Sequence, residues 1–106
     1  MTPGQREFGC RMFSALANPS RLRILEHLAD GPASVGEIAA AAKLKQPITS
    51  QHLAALLQAG VLACTRRGNH RIYRLRGPRI ARILRLVEEF HQTHVQYLSR
   101  GLVRDS

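Results

Sequence analysis

A chain of 106 residues is one domain's worth, and a hydrophobic content of 44% makes it a globular protein rather than a disordered tail. Sixteen Lys and Arg against seven Asp and Glu leave a net charge of +9, which points to a polyanionic partner, nucleic acid first and an anionic membrane surface second. No apolar run is long enough to cross a bilayer, and residues 1–5 carry no charged segment leading into an apolar stretch, so neither a membrane span nor a signal peptide is expected and the default compartment is the cytoplasm.

Glycine and proline cut the chain into short helices and one hairpin. Phe8, Met12, Ala15 and Leu16 recur at helical spacing and predict a first helix over residues 5–17. Asn18 followed by Pro19 reads as an N-cap with proline at the first helical position. The second helix then places Leu22, Leu25, Leu28 and Ala29 on one face and ends at Gly31-Pro32. Ser34 with Glu37 three residues on is a capping box that opens a short third helix, with Ile38 and a run of alanines to about Ala42. Leu44-Lys45-Gln46 is a tight turn. Pro47 starts a fourth helix, reaching about Ala59, with Ile48, Leu53, Leu56 and Leu57 inward and Gly60 just past its end.

Residues 61–66 and 71–75 are expected strands, joined through Gly68-Asn69, which tolerates positive φ. Tyr73 and Leu75 share one face. Gly77-Pro78 begins a long last helix over residues 78–98. Its stripe of Ile80, Leu84, Val87, His91, His94 and Leu98 alternates by four and three, the spacing that packs one helix along another. The expected fold is therefore mainly α with a small β-hairpin wing. Two short helices joined by a tight turn and followed by a basic hairpin make a winged helix-turn-helix, expected here as one domain over residues 1–106.

Arg66, Arg67, Arg71, Arg74, Arg76, Arg79, Arg82 and Arg85 fall in one stretch with no acidic residue between them, an electrostatic footprint for an anion. Cys10 and Cys64 stand far apart in sequence and form no C-x-x-C zinc pattern, so both are expected as free, commonly buried thiols. No nucleophile–base arrangement, phosphate loop or paired-carboxylate motif is present, which argues against an enzyme.

Leu16-Ala17-Asn18-Pro19-Ser20-Arg21-Leu22-Arg23-Ile24-Leu25 resembles the "LadPtRlrIL" opening of the arsenical-resistance repressor (ArsR/SmtB) family. Leu44-Lys45-Gln46-Pro47-Ile48-Thr49-Ser50-Gln51-His52-Leu53 is similar to its "LsqstvShHL" recognition-helix pattern, and Leu56-Leu57-Gln58-Ala59-Gly60-Val61-Leu62 to its "LreAGLv" exit into the wing. Arg67-Gly68-Asn69-His70-Arg71-Ile72-Tyr73-Arg74-Leu75 resembles the wing itself, and the likeness covers roughly residues 10–98. The resemblance implies a cytosolic bacterial repressor. It would be a homodimer held by the first and last helices, sitting on a two-fold operator and leaving when an inducer, often a metal ion, binds.

On that footing residues 34–76 hold the DNA-reading helices and wing. Lys45 to His52 is expected as the DNA-binding recognition segment, with Gln46, Thr49, Ser50 and Gln51 on the face away from Ile48 and Leu53 and His52 as a structural or phosphate-facing residue. Arg66, Arg67, His70 and Arg71 are expected on the backbone or the neighbouring minor groove. Phe8, Met12, Ile80, Leu84, Val87 and Leu98 are the expected dimer interface.

The family's cysteine motif on the third helix is absent, because Ser34-Val35-Gly36-Glu37-Ile38 stands there. Of the family site on the last helix half is present: His91 and His94 at i and i+3, with Glu88 one turn earlier, an imidazole and carboxylate set suited to nickel or zinc. Control by thiol redox at the two cysteines, or by a regulatory partner protein, is the alternative. A winged helix used as a protein-docking module is the competing class.

Overall fold

The computed structural model describes residues 1–101; the last five residues of the expected 1–106 domain lie outside the described residues. The element order is α1 (Pro3–Leu16), α2 (Pro19–Ala29), β1 (Ala33–Ser34), α3 (Val35–Ala42), α4 (Gln46–Gln58), β2 (Leu62–Arg67), β3 (His70–Leu75) and α5 (Pro78–Ser99). This is the expected winged helix with one addition, a two-residue strand ahead of α3.

Local chemistry sets most boundaries. Asn18 caps α2 by accepting from the Arg21 backbone N–H at 3.1 Å, with Pro19 in the first turn. Ser34 and Glu37 form the capping box of α3 through reciprocal bonds of 3.3 and 2.9 Å. The Ser34 backbone and side chain hold the Glu37 carboxyl below its ordinary range. Helix α1 starts two residues earlier than expected, because Thr2 and Gln5 form a second capping box around Pro3. Lys43 ends α3 in the left-handed region at φ 57°, a C-cap that no glycine marks. In the hairpin only Gly68 has positive φ, at 58°. Asn69 does not, the pattern of a two-residue II′ turn.

The sheet order is β1-β3-β2, antiparallel throughout. Ala33 pairs with Tyr73 and Ser34 with Ile72. Strand β1 therefore anchors the start of α3 to the wing. Two residues carry no periodicity, which is why it escapes a reading by pattern.

The core lies where α2, α3, α4 and the base of the sheet meet, with Ile24, Leu25, Ile38, Leu53, Leu56 and Val61 fully buried. Tyr73, Ile80 and Leu84 close it from the wing and α5. Ala29, expected on the buried face of α2, is exposed, and Ile24 takes the inward position. Arg23 of α2 donates from Nε to the Ala42 carbonyl at 3.2 Å, tying α2 to the last turn of α3. Among the described residues no helix is long and apolar enough to cross a membrane.

Candidate nucleic-acid interface

Helix α4 stands in front of the core with its first turn open. Thr2, Asn18 and Ser34 cap α1, α2 and α3 with side-chain bonds, whereas Lys45 at the start of α4 makes none. The first N–H groups of α4 are thus free of a side-chain partner and carry the positive end of the helix dipole, a geometry that suits a phosphate oxygen. Lys45, Gln46, Ser50 and Gln51 are exposed, as expected of groove-facing side chains.

Thr49 and Ile48 exchange the expected places. Thr49 is fully buried, with its Oγ1 donating to the Lys45 carbonyl at 2.9 Å, so it is not on the exposed face. Ile48, expected inward, keeps 43% of its surface exposed. The helical pitch explains the exchange: Thr49, Leu53 and Leu56 follow one another at four and three residues and form the buried row, and Ile48 falls one position off it. The small hydroxyl can enter the core because it satisfies itself on the preceding turn.

His52 is half-buried and turned towards α2. Its Nδ1 accepts from Arg21 Nε at 3.1 Å, and Arg21 Nη1 also donates to the Ala15 carbonyl at 3.2 Å. One guanidinium therefore joins the end of α1, α2 and the middle of α4. Partial burial and, to a smaller extent, the Arg21 charge lower the His52 pKa below the ordinary 6.5, a shift in the direction of the neutral ring that an Nδ1 acceptor needs.

The wing places Arg66, Arg67, His70 and Arg71 in solvent. Its register sets Arg66 directly opposite Arg71 and Arg67 opposite His70. Like charges across a ladder repel, so the hairpin holds a positive field that an anion would relieve. Between Glu37 and Glu88 the sequence has no acidic residue. Among the described residues the one ion pair is Arg11 with Glu7 at 3.8 Å, far from the wing in sequence. Arg74 turns back along the ladder to donate to Thr65 Oγ1 at 2.6 Å.

Helix and wing face each other across a cleft of about 640 Å3. Gln46 and Ser50 line one side, and Arg66, Asn69, His70 and Arg71 the other. Asn69 joins the site here, a residue that turn chemistry alone marks only as part of a loop. The Gln46 side chain lies over Gly36, whose absent Cβ would stand 3.3 Å from Nε2, so the first turn of α3 positions this amide.

Two expected dimer residues belong instead to the protomer's own core: Ile80 and Leu84 are 8% and 9% exposed. They face α2 and the wing base, since the first two turns of α5 are needed to close the fold. Met12 is half-buried against the same core. Phe8, Val87 and Leu98 are exposed, and Phe13 and Phe90 join them at 60% and 77%. The signal for Phe90 is a second row of four–three spacing, Ile83, Val87, Phe90, His94 and Tyr97, displaced from the expected stripe.

Glu88, His91 and His94 are exposed on α5. Among the described residues no group of three or more His, Cys, Asp or Glu could hold a metal ion, so one protomer does not assemble a site from them. Cys10 and Cys64 are free thiols and both exposed, contrary to the expectation of burial. Cys10 is exposed on α1, and Cys64, opposite Tyr73 on the face of β2 that Leu62 shares, is exposed because the core ends before it reaches this position; the spacing of isolated cysteines does not reveal either position.

These features define a winged helix-turn-helix protein, with α3 and α4 as the helix-turn-helix and β2–β3 as the wing. Residues 18–63 match the family model described as "Bacterial regulatory protein, arsR family". An uncharacterized HTH-type transcriptional regulator of Mycobacterium tuberculosis, Rv0081, is 44% identical over 73 residues, covering 68% of this chain and 64% of that protein. The "Probable mercury resistance operon repressor" of Streptomyces lividans is 34% identical over 76 residues, 72% of this chain and 61% of that one. The aligned segment thus spans less than two thirds of these relatives. Among solved structures, the homodimeric winged helix-turn-helix DNA-binding domain of Mb0332 from Mycobacterium bovis, described as a possible ArsR-family transcriptional regulator, superposes with a TM-score of 0.82. It is 33% identical, with 89% of this chain and 87% of that chain covered. The chain belongs to the ArsR family of bacterial regulatory proteins, whose members are transcriptional regulators and not enzymes.

Proposed function

We propose that this chain is a homodimeric repressor that binds an inverted-repeat operator in the bacterial cytoplasm. Helix α4 enters the major groove, and the β2–β3 wing lies on the adjoining backbone and minor groove. The observation that carries this reading is the cleft between Gln46 and Ser50 on one side and the arginines of the wing on the other, with no carboxylate among its lining residues. Gln46, Ser50 and Gln51 supply donors and acceptors for base edges; Lys45, Arg66, Arg67 and Arg71 supply charge for phosphates, and His70 a ring N–H donor.

Two-fold pairing is supported by the surface. The chain exposes 7937 Å2, against roughly 5,900 Å2 for a compact chain of this mass. The excess includes α5 from Leu86 onward, where every described residue is exposed. Pairing α1 and α5 with a second copy would cover Phe13, Val87 and Phe90 and set two α4 helices about one DNA turn apart, roughly 34 Å.

A gel shift against the DNA upstream of the protein's own gene tests the reading. A shifted band that weakens steeply with salt is expected. No shift at low salt from a folded dimer would overturn it.

Control by nickel or zinc at Glu88, His91 and His94 has one support, their exposure on successive turns of the helix that pairs the protomers. It requires a further ligand from the second copy, which would couple binding to the dimer angle. Calorimetric titration of both metals into wild type and His91→Ala/His94→Ala decides it: equal affinities remove the histidines as ligands.

A further inference from the structure

The first turn of α4 spends its surface unusually. A threonine is buried and satisfied on the backbone, while the adjacent isoleucine is left 43% exposed. Ile48 thus keeps apolar surface on the open side of α4 while the neighbouring row of Thr49, Leu53 and Leu56 is fully buried, and contact with an apolar group would remove that surface from water. Ile48 shares the exposed side of the helix with Pro47 and Gln51, whereas Gln46, Ser50 and Ala54 line the cleft towards the wing. Outside the cleft the first turn of α4 thus presents Pro47 and Ile48, with polar Gln51 beside them, and Gln46 and Ser50 face the cleft.

Base edges in the major groove present donors, acceptors and one apolar group, the 5-methyl of thymine. Polar side chains on α4 match the first two. We infer that Ile48 is a specificity-determining residue that packs on a thymine 5-methyl group in each operator half-site. This rests on the reading of α4 as the groove-entering helix. It adds that one position per half-site is read by apolar packing, not by hydrogen bonding.

The test uses duplexes enriched from a randomised library by the wild-type dimer, with each thymine in turn replaced by deoxyuridine, which removes the methyl and leaves the pairing unchanged. Binding is followed by fluorescence anisotropy at fixed salt. At one position per half-site the replacement should weaken wild-type binding about fourfold, the worth of one buried methyl-sized group, and about 15-fold when both half-sites are changed. Ile48→Ala should bind the thymine duplex more weakly and lose the distinction between thymine and uracil. The uracil arm uses unaltered protein, so it stands whatever the variant does to folding. Tolerance of uracil within twofold at every position, or equal discrimination by Ile48→Ala and wild type, overturns the inference and leaves DNA binding in place. Failure to enrich any duplex overturns the groove reading and the inference with it.

Discussion

Thr49 is the residue whose expected place the fold changes, and His52, expected as structural or phosphate-facing, is given a structural partner in Arg21. Thr49 Oγ1 and its own backbone N–H both bond to the Lys45 carbonyl. Thr49→Val therefore removes a buried hydroxyl without orphaning its acceptor. The variant should melt no lower than wild type and bind operator within about twofold, measured by thermal denaturation and anisotropy; a large loss of affinity would restore Thr49 as a base reader. For His52 the sign follows from its lowered pKa: the unfolded chain takes the proton more readily than the folded one. Neutral His52 thus contributes stability above pH 6.5 that is lost as pH falls through the lowered folded-state value. Urea denaturation at about pH 7.5 and about pH 5 should show wild type losing more stability than His52→Asn, whose side-chain carbonyl accepts from Arg21 without titrating. Equal losses would mean that the Arg21–His52 bond carries no pH dependence. The pattern Gln46 to Leu53 already marks this helix in the sequence. Which of its side chains point outward is not legible there, because a threonine and an isoleucine one residue apart fit either face until the buried row is known.

At the level of elements, capping and charge do separate work. Asn18→Ala leaves the Arg21 N–H of α2 without its cap and should cost about 1 kcal/mol in denaturant unfolding. DNA affinity under conditions where the fold is saturated should be little changed, because Asn18 lies outside the cleft. The wing behaves the opposite way. Each of Arg66, Arg67 and Arg71 is exposed without a carboxylate partner among the described residues. Replacing one by Ala should leave stability intact and reduce the slope of log affinity against log salt by about 0.9 for each phosphate that the arginine neutralises in wild type. An unchanged slope would remove that arginine from the interface. The helices and hairpin are readable in the sequence because caps, prolines and the Gly68 turn are local chemistry. Strand β1 is not, because two residues become a strand only when β3 is beside them.

For the whole molecule, the apolar surface left on α1 and α5 is the feature that a lone protomer does not account for. Phe90, 77% exposed, is the most exposed large apolar side chain of α5. Phe90→Glu should shift sedimentation towards monomer and weaken operator binding steeply, since one recognition helix holds only half the site; a dimer unchanged by the substitution would move the interface elsewhere. The order of helices and hairpin, the basic wing and the family follow from the chain alone, since each is written in neighbouring residues or in net charge. Packing in three dimensions was needed to establish that Ile80 and Leu84 close the protomer's own core, that Thr49 is inside and Ile48 outside, and that His52 answers to Arg21. Those outcomes depend on which of several equally spaced rows finds a partner across the fold, and helical spacing alone does not choose among them.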